Sequence, residues 1–214
     1  MELSPGQWLV IGISALLILG YIRGYYYNRQ RAEEVLSWLH AGLESLGPVS
    51  AGGKLPGMAT GGRLEVKHAA SRLRRAEAVY LLAPRENLFF WLFHRLQGKD
   101  DELILWLTFQ AKPGHEVEVA RRGDSQFEKR LKESGKKFTI VSESPRGLVI
   151  AASPNNQQVT AKVQTLLHEY APAIQRLSLR ENKPHLFLRA NLHTLPSRPA
   201  AELLAALIAL GGEA

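Results

Sequence analysis

The residues that could do chemistry are scattered along this sequence. The chain has no cysteine, which excludes thiolate chemistry and cysteine-ligated zinc. The histidines do not have the spacing of metal ligands on a helix or a hairpin, and no HExxH motif occurs. They stand at seven separate positions: His40, His68, His94, His115, His168, His185 and His193. We therefore predict no metal site and expect surface or structural histidines.

Two short stretches imitate functional motifs. Residues 134–137 satisfy the S-x-x-K pattern of acylating enzymes, but they lie at the end of a predicted helix and lack the companion motifs. Residues 52–54, Gly-Gly-Lys, imitate a phosphate loop, but Leu55 stands where Ser or Thr must follow the lysine. We predict no catalytic residue and no cofactor, hence a protein that is not an enzyme. One enzymatic alternative stays open, a site assembled from distant residues around positions 168–170.

The dominant feature of the chain is an apolar run near the N-terminus. The 20 residues from 3 to 22 carry no charge. A helix of that length matches the hydrocarbon core of a bilayer, about 30 Å thick. We predict a transmembrane helix at residues 8–27 after a short extracytoplasmic segment, residues 1–7. A cleaved secretory signal and a buried core helix are the alternatives.

Basic residues set the expected orientation of that helix. All 27 lysines and arginines lie at or after Arg23, so the positive-inside rule places the C-terminal bulk in the cytoplasm and the N-terminus outside. Gly20 and Gly24 match the small-xxx-small spacing of closely packed membrane helices, a spacing too common to predict an oligomer. The residues expected at the membrane interface are aromatic or basic: Trp8, Arg23, Tyr25, Tyr26, Tyr27, Arg29 and Arg31.

The charge of the remaining chain limits its partners. From Arg23 onward the chain has 27 basic and 19 acidic residues, a net charge of +8. Because this positive region adjoins the predicted span, we expect it to face anionic lipid headgroups, with nucleic acid as the alternative. Arg72, Arg74 and Arg75 form a basic cluster, but without the aromatic signature of an RNA-recognition module.

Hydrophobic periodicity divides the rest of the chain into elements. Apolar residues at steps of three and four predict an amphipathic juxtamembrane helix at residues 28–46, and the Gly- and Pro-rich residues 47–62 predict a flexible linker. Residues 63–214 are predicted to form a cytosolic domain. Its predicted strands are 64–68, 76–83, 102–110, 116–121, 137–143, 148–152 and 185–192, and its predicted helices are 86–96, 125–134, 153–177 and 198–210.

The order of these elements predicts the fold class. A hairpin followed by a helix occurs three times in the predicted elements of the domain. Such repeated hairpin–helix units favour an α+β domain with a mostly antiparallel sheet and helices on one face.

Two predicted helices carry more apolar surface than one core-facing stripe requires. Phe89, Phe90 and Phe93 project away from the side expected to cover the sheet, and the last helix, with Leu203 and Leu207, is apolar almost all round. Burial between the sheet and neighbouring helices is one explanation. The other is docking of a hydrophobic partner, for which these five residues are the candidates.

The element order and two stretches resemble the calumin family, the coiled-coil-domain subunits of the eukaryotic PAT complex. The stretches are FFWLFHRLQGKDDELILWLTFQ at residues 89–110 and LLHEYAPAIQRLSL at residues 166–179, and the resemblance extends over roughly residues 9–210. It implies a membrane-anchored cytosolic α/β domain in the multipass translocon of the endoplasmic reticulum. There the family chaperones nascent membrane segments beside the Sec channel.

The sequence departs from that family at both ends. It has no acidic segment before the span and no Lys/Glu-rich coiled tail, so calcium binding is not expected to carry over. We expect a compact prokaryotic relative in the cell membrane, with the endoplasmic reticulum membrane as the alternative. The leading hypothesis is a non-enzymatic, single-pass module that assists membrane-protein insertion. Its expected partners are the lipid bilayer, a Sec channel or insertase, nascent membrane proteins and the ribosome. The alternative is a membrane-tethered RNA- or anionic-lipid-binding domain.

Overall fold

A computed structural model describes residues 4–54, 60–69, 72–133, 138–143, 147–153, 156–170 and 172–211. Helix α1 (Pro5–Glu44) is one uninterrupted helix of 40 residues, about 60 Å long. It begins at a capping box, in which the Ser4 hydroxyl accepts a hydrogen bond from Gln7 N–H and the Gln7 side chain accepts one from Ser4 N–H.

The two halves of α1 differ in burial. Its most apolar 18-residue window has no buried residue, whereas Val35, Leu39 and Leu43 in the second half are buried against the domain. Among the described residues, α1 is the one helix long and apolar enough to cross a membrane. The predicted span and the predicted juxtamembrane helix are therefore parts of a single helix.

All strands of the described residues belong to one sheet of nine strands in the order β1–β2–β3–β4–β9–β8–β5–β7–β6. Every neighbouring pair is antiparallel. The strands are β1 (Ser50–Lys54), β2 (Gly61–Val66), β3 (Leu73–Leu81), β4 (Glu102–Phe109), β5 (Glu116–Arg121), β6 (Thr139–Glu143), β7 (Leu148–Ser153), β8 (Ile174–Leu179) and β9 (Leu186–Asn191). The predicted α+β class with an antiparallel sheet is confirmed.

The main core lies between one face of this sheet and three helices. The shorter helices are α2 (Leu88–Leu96), α3 (Ser125–Glu133), α4 (Gln157–Tyr170) and α5 (Ala200–Ala209), with a 3-10 turn at Leu195–Ser197. β4 shows the alternation that builds the core, because Leu103, Leu105 and Leu107 are buried while the residues between them are partly exposed. The second half of α1, α4 and α5 cover this face.

Helix α3 covers part of the opposite face. Phe127 packs there with Ala120, Val149 and Ala151, whereas the neighbouring Ile150 points into the main core. The prediction that helices lie on one face only is therefore wrong. The reason is that β5 and β7 carry apolar residues on both sides, so this end of the sheet has to be covered twice.

The predicted repeat of hairpin–helix units is not confirmed. β4 and β5 do not pair with each other, since β4 lies between β3 and β9, and β5 lies between β8 and β7. The two strands of the supposed hairpin are thus separated in the sheet by β9 and β8. Hairpins do form between β6 and β7 and between β8 and β9.

The prediction of one long helix at residues 153–177 is also wrong. Helix α4 ends at Tyr170, and Ile174–Leu179 forms β8 in the middle of the sheet. Pro172 ends the helix where the sequence predicted a bend, because proline cannot donate the helical backbone hydrogen bond. Ile174 and Leu177 match a helical spacing, but in β8 they are buried as strand residues.

The predicted linker at residues 47–62 is in part a strand. Residues 50–54 form β1 at the edge of the sheet, paired with β2. Backbone hydrogen bonds to β2 order this stretch although its residues are small, since such bonds do not depend on side chains. Some predictions fall on residues 1–3, 55–59 and 134–137, which lie outside the described residues.

Candidate functional site

Histidines and carboxylates do not gather into a metal centre. The described residues contain no group of three or more His, Asp or Glu side chains that could hold a metal ion. His185 Nδ1 accepts a hydrogen bond of 3.0 Å from Phe109 N–H, and His115 Nε2 lies 3.3 Å from the Leu210 carbonyl oxygen. Burial lowers the pKa of both histidines. Both are buried side chains with backbone partners, which is the structural role expected from the sequence.

The stretch considered for an assembled enzymatic site does not converge either. His168 and Glu169 are exposed, whereas Tyr170 is buried in the core. The Glu169 carboxylate lies 3.9 Å from Arg198, whose guanidinium lies 5.2 Å from the centre of the Tyr170 ring. These side chains hold the end of α4 to the segment before α5.

Among the glycines that the structure describes, the closest approach to other atoms is at Gly24, where α1 crosses the segment that leads into α2. A Cβ atom at Gly24 would lie 2.0 Å from the Arg85 carbonyl oxygen and 2.6 Å from Glu86 N. One turn away, a Cβ atom at Gly20 would lie 3.8 Å from the Leu88 side chain. The small-xxx-small pair therefore packs within the chain, with Gly24 allowing two backbones to touch.

A buried amide locks this crossing. Asn28 is 5% exposed, and its Nδ2 donates hydrogen bonds of 2.9 Å to the Ala83 carbonyl oxygen and 2.7 Å to Glu86 Oε2. Its Oδ1 accepts a hydrogen bond of 3.1 Å from Arg85. All the polar groups of this side chain thus have partners on the segment before α2, which holds α1 to that segment in one register.

Asp101 ties the same segment to the start of β4. Its carboxylate is buried and accepts hydrogen bonds of 2.7 and 3.1 Å from the Arg85 guanidinium and one of 2.9 Å from Ala83 N–H. Arg31 Nε lies 3.8 Å away, and Arg31 Nη2 donates a hydrogen bond of 2.7 Å to the Leu192 carbonyl oxygen. Arg31, predicted at the membrane interface, therefore turns toward the domain because a buried carboxylate requires cationic partners.

The other residues predicted at the interface are exposed on α1. Tyr25 stacks against Tyr21, and the Tyr27 ring lies under the Arg85 guanidinium at 4.8 Å. The exposed set is Trp8, Arg23, Tyr25, Tyr26, Tyr27 and Arg29. Trp8 lies near the N-terminal end of α1, and the others lie at or just beyond the C-terminal end of the apolar stretch.

Helix α2 buries none of its residues although nearly all of them are apolar. Phe89 is 69% exposed, Phe90 and Phe93 are each 59% exposed and Leu96 is 80% exposed. Its N-terminus is capped by Asn87, whose side chain accepts a hydrogen bond of 3.1 Å from Phe90 N–H. A capped helix thus presents an apolar surface beside the apolar half of α1.

The two candidates on the last helix are placed differently. Leu203 is 1% exposed and Leu207 is 0% exposed, so neither can bind a partner, and that prediction is wrong. Helix α5 packs against the second half of α1, where a Cβ atom at Gly42 would lie 2.5 Å from Ala200 Cβ. Its all-round apolar character reflects contact with α1 and with the main core together.

The sheet face opposite the main core, here called the outer sheet face, carries a feature that the sequence analysis missed beyond the part that α3 covers. Trp106 and Phe187 are directly opposite each other on β4 and β9, with ring centroids 6.1 Å apart. Both point away from the main core. The alternation of β4 indicated the outward direction of Trp106, but the pairing with Phe187 required the strand order.

Carboxylates pair with some of the basic residues around these rings. Arg75 lies 2.8 Å from Glu65 and 3.3 Å from Glu77, and Arg63 lies 2.9 Å from Glu77. Arg189 is paired with Glu102. Lys67, Arg74 and Lys183 line a cavity beside Trp106 and have no acidic partner among the described residues, so this face combines aromatic surface with an excess of positive charge.

The fold and the crossing define a class: an antiparallel α+β domain built on one long N-terminal helix that is apolar enough to cross a membrane. No protein-family model matches the chain, and a search of curated proteins finds no match. The resemblance to the calumin family therefore stays a prediction.

Proposed function

We propose that this protein is a non-enzymatic binding module anchored in a membrane by the first half of α1, with α2 lying in the membrane interface beside it. The observation that carries the proposal is the contact of Gly24 with the backbone of Arg85 and Glu86. It supports the proposal because it fixes a helix without a buried residue next to the unburied apolar half of α1.

The depth of α2 in the proposed bilayer is inferred from its contact with α1. Gly20 and Gly24 both belong to the stretch predicted to span the bilayer, and Leu88, the first residue of α2, packs at Gly20. Gly20 is one helical turn, about 6 Å, closer to the bilayer centre than Gly24. Amphipathic interfacial helices bury their apolar face about 5–10 Å into the boundary between headgroups and acyl chains. Helix α2 starts at the depth that this mode of binding requires.

The surroundings of α2 support the same arrangement. Tyr27 on α1 and Trp91 on α2 line the same cavity, and Tyr25 and Tyr26 precede Tyr27 on α1, so amphipathic rings gather here as in the aromatic belts of membrane proteins. Arg23 and Arg29 lie at the same end of the apolar stretch, with the basic residues of the domain beyond them. The positive-inside rule then favours a cytoplasmic domain, in a prokaryotic cell membrane or, alternatively, the endoplasmic reticulum.

Site-specific labelling tests the proposed position of α2. Because the chain has no cysteine, single variants F90C and H168C of the full-length protein can each carry one nitroxide label in liposomes. We expect oxygen, which concentrates in lipid, to relax the label at position 90 strongly, and a water-soluble nickel complex to relax it weakly. The label at position 168, on the exposed side of α4, is the matched control and should show the reverse. Equal access of the nickel complex to both labels would contradict the proposal.

Within this class, we propose a role in assisting membrane-protein insertion at a Sec-type channel. The support is the predicted resemblance to the calumin family together with an apolar helix positioned beside a membrane anchor. Helix α2 would then contact hydrophobic segments of nascent membrane proteins as they enter the bilayer, with an insertase or the ribosome nearby.

Cross-linking in cells tests that role. A photoreactive residue replaces Phe93, on the exposed face of α2, and the matched control carries it at His168. We expect adducts with Sec channel subunits, an insertase, ribosomal proteins or nascent membrane proteins from position 93 and not from position 168. Recovery of lipid adducts alone from position 93 would retain the membrane module and remove the insertion role.

Binding of single-stranded RNA by the outer sheet face is the second candidate. The Trp106–Phe187 pair favours it, because both residues are partly exposed and bases stack on accessible aromatic rings. The carboxylate pairing of Arg63, Arg75 and Arg189 works against it. Salt-sensitive RNA binding by the full chain that is lost in W106A would favour this candidate over the first.

A further inference from the structure

A cavity of about 480 Å³ lies between α1 and α2. Its lining is of two kinds. Gly20, Leu88 and Trp91 supply apolar surface, whereas Arg23 and Arg95 supply positive charge. The cavity therefore combines the two kinds of surface that a phospholipid molecule presents.

The charged residues that line the cavity are of two kinds. Arg85 is bound to Asp101 at 2.7 Å and lies 3.5 Å from Asp100, which also lines the cavity, so the charge of Arg85 is taken up by carboxylates. Arg23 and Arg95 have no acidic partner among the residues that the structure describes. The Arg95 guanidinium lies 5.8 Å from the Trp91 ring centre, a contact that keeps its charge beside the cavity. Two uncompensated guanidinium groups thus face one opening.

We propose that this cavity binds the phosphate of an anionic phospholipid, with Arg23 and Arg95 as the phosphate ligands and the Gly20–Leu88 wall as the seat of the first part of an acyl chain. The proposal rests on the proposed function, because it takes α2 to lie at the level of the headgroups. Guanidinium groups bind phosphate through paired charge-assisted hydrogen bonds. Basic pockets on the cytoplasmic side of membrane helices are suited to anionic headgroups for this reason.

The glycine at position 20 is what leaves room for the chain of the lipid. No heavy atom lies closer than 3.8 Å to the place of a Cβ there, so alanine fits without displacing Leu88. A longer side chain would occupy the apolar wall instead. The cavity should therefore tolerate G20A and lose lipid in G20L.

Native mass spectrometry of the full-length protein in detergent tests the site. The probes are phosphatidylglycerol and phosphatidylcholine with the same acyl chains. We expect phosphatidylglycerol to bind more tightly, and R23Q and R95Q each to weaken that binding about tenfold, since one charge-assisted hydrogen bond is lost. The matched control is R74Q, which removes an exposed and unpaired charge from β3 outside the cavity and should leave the affinity unchanged. Soluble glycerol phosphate should not compete, because it lacks the acyl chain.

The other outcomes contradict the proposal. Equal loss in R74Q, R23Q and R95Q would mean diffuse attraction of anionic lipid to the basic surface. Equal affinity for the two lipids would mean that phosphate charge is not recognised, and competition by glycerol phosphate would mean a soluble phosphate ligand. If the label at position 90 is exposed to lipid and any of these results is obtained, the phospholipid site is excluded and the proposed membrane position of α2 is retained. A water-exposed label at position 90 removes the proposed membrane position of α2, whatever the lipid affinities are.

Discussion

Helices α2 and α5 are similar in composition and opposite in burial. Both are short and strongly apolar, and both pack against α1. Helix α5 buries Ala200, Leu203, Leu204 and Leu207, whereas α2 buries no residue. The difference lies in what else is near, because α5 has the sheet core behind it and α2 packs beside the half of α1 that the domain does not cover.

This contrast shows that apolar character by itself does not distinguish a core helix from a helix that faces a membrane or a partner. The close contacts at Gly24 and Gly42 hold the segment before α2 and the start of α5 against α1. What distinguishes them is the second surface, which is protein for α5 and, as proposed, lipid for α2. Each of the following predictions tests one side of this comparison.

Truncating the core side of α5 should have the largest effect. We expect L207A to lower the free energy of unfolding by about 2–5 kcal/mol, because it removes a fully buried side chain and leaves a cavity. Chemical unfolding of the full-length protein in mild detergent measures this. L207M, which conserves volume, should cost less than about 1.5 kcal/mol. A cost of L207A below about 0.5 kcal/mol would mean that α5 is not a core helix.

A side chain at the crossing of α1 should have the next largest effect. We expect G24A to destabilise the protein by about 1–3 kcal/mol, since its Cβ would lie 2.0 Å from a backbone oxygen and cannot be accommodated by a rotamer change. G20A is the matched control, because its Cβ meets Leu88 at an ordinary distance of 3.8 Å. Similar unfolding midpoints for G24A and wild type would contradict the close approach of the two backbones.

Acid should lower the stability of the protein through His115, which lies against the carbonyl oxygen of Leu210 at the end of α5. Burial lowers the pKa of His115 below its ordinary 6.5; the nearby Lys162 lowers it further, and the hydrogen bond to Leu210 partly opposes this. The unfolded chain therefore binds the proton more readily, so stability is full above pH 6.5 and falls as the pH drops toward the folded-state value. Unfolding at a series of pH values should show a shallower decline in H115Q. L207A should keep the wild-type slope, which separates packing from titration.

Removing apolar surface from α2 should have the smallest effect on stability. We expect F93A to change the free energy of unfolding in detergent by no more than about 0.5 kcal/mol, as for other exposed positions. The same substitution should weaken the association of α2 with liposomes, measured by the relaxation of a label at position 90. A large loss of stability in F93A would show that Phe93 packs against protein, and the contrast with α5 would disappear.

The elements of this fold that depend on local pattern could be predicted from the sequence. The bounds of β5 were predicted without error, and those of β4 and α2 within two residues, because strand alternation and an N-cap are readable within about ten residues. The apolar half of α1 and its continuation as an amphipathic helix were also readable. The prediction of a helix was wrong at Ile174 and Leu177. Their spacing fits both a helix and a strand, and pairing within the sheet makes them part of β8.

Features that depend on distant contacts could not be predicted. The glycine spacing at positions 20 and 24 was visible, but its partner segment lies about 60 residues later in the chain. Leu203 and Leu207 were candidates for an exposed surface because the sequence does not say that α1 turns its second half toward them. The Trp106–Phe187 pair likewise depends on β9 crossing to lie beside β4.

The continuity of α1 has a mechanical consequence. From Gly24 to Glu44 the helix has no break and is fixed to the domain at Asn28, Val35 and Leu43, so the proposed anchor is joined to the sheet by continuous helix. Membrane helices tilt by about 20° on average, and over the roughly 30 Å between Gly24 and Glu44 such a tilt carries the far end sideways by about 10 Å. A change in bilayer thickness that alters the tilt of the anchor would thereby swing the outer sheet face toward or away from the membrane surface.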